Sequence, residues 1–371
     1  MIPGSYQYET LDWPSLSASD RAAWERLRRA RPSLSSPYFT LEWCDAVHAA
    51  RGDLKVARIV HGGEFQAFLP FHHGRLGALR PAGGPMSDVH GFICGPSARL
   101  DPDGLVAALG ARTFRFTGAP TDDPGLAFGA KPADGFSLDL SKGYNAYVAR
   151  QGAIEPKAFR NYRSRQRRLD GRDVEFNADD RDPAALAALL GLKRDQYRRT
   201  RQIDVFRPEW TRRLAADIFA RPAGRTLRGR LSTLRVDGRM AAGHFGLEAD
   251  GVLHYWFTVF DPAFAAVSPG VILLQRIAEA AAEQGVIRID LGGGDYRFKQ
   301  EFADLRTPLA AGLIRGRTLF AGAAHSAGAL ARGIESLPIG NLASAPRRAL
   351  LRLDRLISFH EAPRRPPSQF A

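Results

Sequence analysis

Three strand-like runs in immediate succession constrain this fold more than any other feature. "TLRGRLSTLRV", "RMAAGHFGLE" and "GVLHYWFTVF" fill residues 226–260, separated only by the turn signals "DGR" and "ADG". Short Asp-Gly turns between β-rich runs predict antiparallel hairpins. The meander then gives way to a loop containing Ser268-Pro269-Gly270, an apolar helix to Gln284, the strand "VIRIDL" and the glycine turn "GGGDYR". A short helix and the strand "LAAGLIR" follow. With "RDVEF" and helices near Pro183–Arg199 and Pro208–Ala220 placed before the meander, the order from Arg172 is β-α-α-β-β-β-α-β-α-β.

The first half also reads as mixed α/β. Helices near Ser19–Arg31 and Leu41–Arg51 precede the hairpin "LKVARIV"–"HGGE"–"FQAFLPF". The Gly/Pro-rich "LRPAGGPMSDVHGFICGP" leads to a helix near Gly104–Gly110, the strands "RTFRFT" and "GFSLDL", and a helix from about Lys142 that Asp139 or Ser141 could cap. At 371 residues the chain exceeds one ordinary core, so two domains are expected. The expected boundaries are 1–150, 151–320 and a C-terminal helical extension and tail, 321–371. That tail holds the basic amphipathic "RRALLRLDRLISF".

A hydrophobic content of 44% and a charged content of 25% suit a soluble globular protein, and no apolar run reaches the length of a membrane span. The N-terminus has neither a basic nor an apolar signal region, which predicts a cytoplasmic location. Cys44 and Cys94 are the only cysteines, too few for a disulfide framework. The nine histidines show no metal-like spacing, so no metal is expected, and His72-His73 are expected at a solvated strand end. The net charge of +13 is concentrated in 150–172 and 193–239, where it could attract an anionic ligand or surface. In "IEPKAFRNYRSRQRRLDGRDVEFN", Phe159, Tyr162, Gln166 and Leu169 follow helical spacing and form a mostly apolar stripe, while Arg160, Arg163 and Arg167 share another face. That face suits either a solvated connection or a phosphate-facing ridge.

Ser268-Pro269-Gly270 is an unusual helix start. Ser is a good N-cap and Pro fits the first helical position. Gly at the second costs about 1 kcal/mol against Ala, which makes sense where a ligand approaches the backbone. Helix N-termini favour anions through unpaired amides and the dipole, and Gly270, Val271 and Ile272 can all donate. The same residues also suit a capped helix that binds nothing.

The order of elements resembles the acyl-CoA-binding core of the GNAT acetyltransferases. "FDPAFAAVSPGVILLQ", "GVIRIDLGGGDYRFKQEFAD" and "RQRRLDGRDVEF" resemble the CelD-like branch linked to cellulose and exopolysaccharide biosynthesis, itself related to the Fem-type aminoacyltransferases. The resemblance covers about Arg160 to Arg315 well, and the first half more loosely through "SPYFTLEW" and "GGPMSDVHG". It implies an α/β (α+β) fold of tandem GNAT-like domains, each a mixed, largely antiparallel central sheet flanked by helices. The second would keep the donor site, with acetyl-CoA or another acyl-CoA as donor.

On this resemblance Ser268, Gly270, Val271 and Ile272 would hold the CoA diphosphate, joined by Arg163 and Arg167, and the aromatic strand 251–260 would line the pantetheine channel. Asp290, Gly294, Asp295 and Lys299 carry the family pattern. Asp290 or Asp295 would bind acceptor hydroxyls or take a proton, and Lys299 would stabilise negative charge or position the acceptor, although Asp295 and Lys299 also suit a plain i,i+4 ion pair. Phe298 and Gly293 depart from the pattern, which weakens a Tyr-based acid. His254 is an alternative base, His244 a weaker one, and Asp88 and His90 could contribute from the first half.

The expected activity is N- or O-acylation of a sugar or glycan precursor by direct attack, with peripheral association to the inner membrane or to polysaccharide-synthesis machinery. A Fem-type transferase using aminoacyl-tRNA is one alternative. A non-enzymatic module binding polyanions or a membrane surface is another, and nucleic acid is not expected as a partner because no RNA-binding signature or helix-turn-helix spacing is present.

Overall fold

Residues 6–126, 131–222, 224, 226–294, 296–315 and 357 are described by a computed structural model. They fall into two units, one drawn from Met1–Leu34, Cys44–Pro132 and Ala310–Ala371, the other from Ser35–Trp43 and Ala133–Leu309.

In the first unit β1 (Gln7–Asp12), β2 (Lys55–His61) and β3 (Glu64–His73) pair antiparallel in that order. Both β4 (Ala78–Pro81) and the short β5 (Ile93–Cys94) pair with β3, and β6 (Thr113–Pro120) runs parallel to β4. The Gly/Pro-rich stretch thus holds two short strands. Helices α1 (Ala18–Arg29), α2 (Leu41–Arg51) and α3 (Pro102–Ala108) accompany the sheet. A capping box opens α1: Ser17 accepts from the Asp20 amide, and Asp20 accepts from the Ser17 amide. His72 corrects the expectation of a solvated strand end. It is fully buried, with Nδ1 2.9 Å from the Asp53 carboxylate and Nε2 accepting from the Gly83 amide. Only its neighbour His73 is exposed.

The second unit starts from β7 (Lys131–Asp139), α4 (Tyr144–Ile154), α5 (Pro156–Arg167) and β8 (Val174–Asn177). Then come α6 (Pro183–Arg199), α7 (Glu209–Ala220) and the meander β9 (Arg228–Val236), β10 (Arg239–Ala249) and β11 (Val252–Phe260). The chain continues through α8 (Pro269–Glu283), β12 (Arg288–Gly293), α9 (Arg297–Phe302) and β13 (Leu305–Arg315). Within this unit the strand order is β7-β12-β11-β10-β9-β8, and only β11 with β12 is parallel. The hairpin turns are those the Asp-Gly pairs dictate. Asp237 and Gly238, like Asp250 and Gly251, all have positive φ, as a two-residue turn matched to strand twist requires.

Ile272, Leu273, Leu274, Ile277, Ala278 and Ala281 form the buried face of α8. They share one core with Leu253 and Tyr255 of β11, Ile289 and Leu291 of β12, and Phe159 and Tyr162 of α5. Phe136 and Leu138 of β7 and Tyr147 of α4 lie in that same core, so the residue-150 boundary read from sequence falls inside α4. Neither Asp139 nor Ser141 caps α4. Its N-cap is Gly143, and Asp139 instead accepts from the Ser141 amide at 2.9 Å. Both units are mixed α/β with mostly antiparallel sheets and flanking helices. The expected extension over 321–371 lies, except Ile357, outside the described residues.

Candidate active site

The second sheet opens on one side of β11. Pairing with β12 covers only Val252↔Arg288, Leu253↔Ile289 and His254↔Asp290, although β11 runs on to Phe260. Beyond Asp290, β12 shifts register and follows β7, with Gly292 opposite Phe136 and Gly293 opposite Gly135. The two parallel strands therefore part after His254.

The hydrogen-bond phase of the meander determines what faces this gap. The Asp261 amide donates to the Ala241 carbonyl at 2.9 Å, in register with Gly243↔Val259 and Phe245↔Phe257. Antiparallel ladders alternate bonded and non-bonded pairs. The amide and carbonyl of Thr258, opposite His244, therefore turn away from β10, towards the side that β12 has left.

Because α8 connects two parallel strands, it begins at the carboxyl end of β11, where pairing has stopped. Its entry is a 3-10 turn, Pro262–Val267, capped by Asp261, which accepts from the Ala263 amide. Ser268 then takes a left-handed conformation (φ 48°, ψ 60°), and its side chain makes no cap hydrogen bond. This corrects the expected Ser N-cap, since a left-handed residue cannot aim its hydroxyl at the next amides as an extended N-cap does. The Ser268 carbonyl accepts from the Val271 amide at 3.0 Å, so Val271 is not a free donor as expected. Gly270, at the second helical position, remains a candidate donor. Among the described residues, and apart from its chain neighbours and its own helix backbone, no atom stands within 4 Å of where a Cβ on Gly270 would lie, so the backbone there is open to close approach. Ile272 is buried in the core, and only its backbone could contribute.

Helix α5 ends beside this turn: Arg168 donates to the Ala266 carbonyl at 3.3 Å. Its neighbour Arg167 and, one turn back, Arg163 are exposed, and neither has an ion pair among the described residues. The expected apolar stripe is borne out at Phe159, Tyr162 and Leu169, all buried, while Gln166 is half-buried.

His254 and Asp290 stand side by side at the last paired register. His254 Nδ1 lies 3.5 Å from Asp290 Oδ2, close enough for charge interaction but long for a hydrogen bond. Oδ1 of Asp290 accepts from the Gly292 amide at 2.8 Å. Burial would raise the Asp290 pKa, but His254 and the Gly292 amide outweigh it and hold the carboxyl below its usual range. His254 is fully buried, with the Tyr38 ring edge-on at 4.9 Å. Lys299 is also buried, and its Nζ donates to the Gly292 and Gly293 carbonyls, fastening the glycine turn. Asp295 lies outside the described residues.

The remaining candidates have structural positions. His244 is fully buried and stacked on Tyr255 at 4.0 Å, with burial pushing its pKa well below the ordinary value. In the first unit, His90 Nδ1 accepts from the Thr117 amide and Nε2 pairs with the Ser87 carbonyl. Gly118 beside it leaves no room for a Cβ, which would stand 2.2 Å from the Asp88 carbonyl. Cys44 and Cys94 are both buried, and burial pushes the Cys94 thiol up to about 12. Among the described residues no cluster of His, Cys, Asp and Glu could hold a metal ion.

Three residues outside the sequence-derived site candidates lie against the candidate site. Tyr38 and Trp43, from the short 35–43 segment, pack against His254 and Trp256. No local pattern ties that segment to strands two hundred residues later. Lys193 on α6 donates from Nζ to the Thr258 carbonyl at 2.8 Å, within the gap. Residue type was its only signal, as one of six lysines among 52 basic residues.

Residues 156–300 match a family model described as "Acetyltransferase (GNAT) domain", a span from the start of α5 into α9. No curated protein matches the chain. Among solved structures it is similar to FemX, with a TM-score of 0.51 and 12% identity, covering 81% of this chain and 95% of that one. A tandem GNAT protein from the clavulanic acid biosynthesis pathway has a TM-score of 0.47 and 11% identity, over 84% of this chain and 98% of that one. A GCN5-related N-acetyltransferase from Sphaerobacter thermophilus has a TM-score of 0.44 and 13% identity, over 84% and 98%. At such identities likeness concerns the fold alone, and FemX is the structure that bears on it. Residues 156–300 are thus similar to a GNAT acetyltransferase domain, a match that supports an acyltransferase.

Proposed function

We propose that the protein transfers an acyl group from an acyl-CoA, acetyl-CoA in the first instance, to an amine or hydroxyl of a sugar or glycan precursor. The observation that carries this reading is the coincidence, at one end of β11, of two features. The sheet opens after His254↔Asp290, and α8 starts there with an uncrowded Gly270. The residues fit the donor. Gly270 admits a diphosphate to the helix terminus, where amides and dipole favour negative charge. Arg163 and Arg167 supply guanidinium groups without ion-pair partners among the described residues. The dipole alone contributes about 0.3–1 kcal/mol, so most affinity comes from the amide and Arg contacts.

Acyl-CoA supplies a thioester carbon open to attack. The gap-facing Thr258 amide polarises the thioester carbonyl, which needs no side chain. Asp290 orients His254 and favours its protonated form, so that His254 receives the acceptor's proton as the new bond forms. Lys299 fixes the glycine turn that bears Asp290's hydrogen-bond partner. Asp295 remains a candidate for binding acceptor hydroxyls. The sugar acceptor rests on the CelD-like resemblance.

A panel of acyl-CoAs against amino sugars and nucleotide-sugars, read by free-thiol release, tests the reading. One pair should release thiol well above the acceptor-free rate. Asp290→Asn should lower that release about 10- to 100-fold with acyl-CoA binding intact, matching the loss of a charge-assisted contact of about 1.5–3 kcal/mol. Thiol release unchanged by Asp290→Asn would contradict the assigned pair. Binding of charged tRNA in place of acyl-CoA would favour the Fem-type alternative.

A further inference from the structure

Lys193 differs from the other basic side chains of the central region. Most of these are arginines, many paired with carboxylates, as Arg194 is with Asp204 and Arg221 with Asp217. Lys193 has no carboxylate partner among the described residues. Its Nζ is held by the Thr258 carbonyl at 2.8 Å and lies 5.3 Å from the centre of the Tyr197 ring. Helix α6 presses close to the sheet here, since a Cβ on Gly243 would stand 2.9 Å from Leu189 Cδ1, one turn before Lys193. The Thr258 carbonyl and amide point to the same side of β11, so the amine sits beside the amide that would polarise a bound thioester.

We infer that Lys193 is a self-acylation site: with acyl-CoA bound and no acceptor present, its Nζ takes the acyl group and becomes an N-acyl-lysine. This rests on the acyl-CoA reading given above. The reacting form is the neutral amine, whose lone pair attacks the thioester carbon. The C–N bond forms, the C–S bond breaks with its electron pair going to sulfur, and the proton lost from nitrogen converts the thiolate to free CoA. No oxidant or further reactant is needed. Burial alone lowers the Lys193 pKa to about 8, so a sizeable fraction is neutral near pH 7.5. An ordinary lysine near 10.4 is almost wholly charged there. The product amide is uncharged and stable, and it leaves an acyl group lodged in the gap. Self-acylation therefore competes with turnover and limits it.

Incubation of the full chain with acetyl-CoA alone, followed by peptide mapping, tests this. Lys157, exposed on α5, serves as the internal reference for uncatalysed acetylation. The expected result is Lys193 acetylation at least about tenfold faster than Lys157, because Lys193 Nζ is held beside the gap-facing Thr258 amide. Its rate should level off above about pH 8. Excess free CoA should suppress it, and so should Gly270→Asp; competition by CoA serves where that variant fails to fold. Lys193 left unmodified while calorimetry shows acetyl-CoA bound would overturn the inference and leave the donor reading standing. No binding of acetyl-CoA would overturn both. Acetylation of Lys193 that is indifferent to free CoA would show untemplated chemistry and overturn the inference alone.

Discussion

Two buried histidines show how position rather than residue type sets a role. His254 touches a carboxylate at the edge of a gap, whereas His90 spends both ring nitrogens on backbone groups. Burial dominates at His90 and takes its pKa down to about 4. The folded state therefore keeps His90 neutral, while the unfolded chain takes up a proton near 6.5. Stability attributable to this residue is full above about pH 6.5 and is lost as the pH falls towards 4, about 3 kcal/mol in all. His90→Gln should accordingly lose about 2 kcal/mol less stability than the parent between pH 7 and pH 5, measured by urea unfolding. Equal losses in the two proteins would contradict the assignment. At this scale the sequence marked His254 and Asp290 separately as candidates. Their adjacency follows from a three-residue register that no local pattern encodes. Lys193 escaped notice for the same reason, because its partner is a backbone carbonyl on a strand 65 positions later.

Elements were far more legible, because their signals are local. Helix α6 begins and ends where its Pro183 start and basic end suggest, and the meander strands follow from β-rich runs between Asp-Gly turns. Caps were legible only in part. Ser17 and Ser268 look alike as residues before a helix, but Ser17 is extended and bonded to Asp20, while Ser268 is left-handed and caps nothing with its side chain. Ser17→Ala should cost about 1 kcal/mol through loss of the capping box. Ser268→Ala should cost less than about 0.5 kcal/mol, since no hydrogen bond is lost. Thermal or urea unfolding of the two variants compares them directly, and an equal cost would refute the difference in capping. The Ser268 conformation itself was hidden, since it joins a 3-10 turn directly to α8 and neither junction has a local sequence signal.

At the scale of the whole molecule, order and composition conveyed the class of fold but not its division. The count and succession of strands pointed to mixed α/β units with largely antiparallel sheets, as found. The segment Ser35–Trp43 groups with the second unit although its sequence neighbours on both sides group with the first, and only tertiary packing reveals this. The concentration of positive charge resolves into distinct uses. Several arginines are absorbed by carboxylates, Arg228 and Arg230 by Glu248 among them, while Arg163 and Arg167 on α5 stay without ion pairs among the described residues. The central claim is that the Gly270 end of α8, together with the opened strands β11 and β12, holds the diphosphate of an acyl-CoA. Isothermal titration of acetyl-CoA into the parent protein and into Gly270→Asp measures this directly. A new carboxylate at an anion-binding helix start should weaken binding at least about tenfold, through lost access and like charge. Undiminished affinity in a folded Gly270→Asp protein would contradict the account.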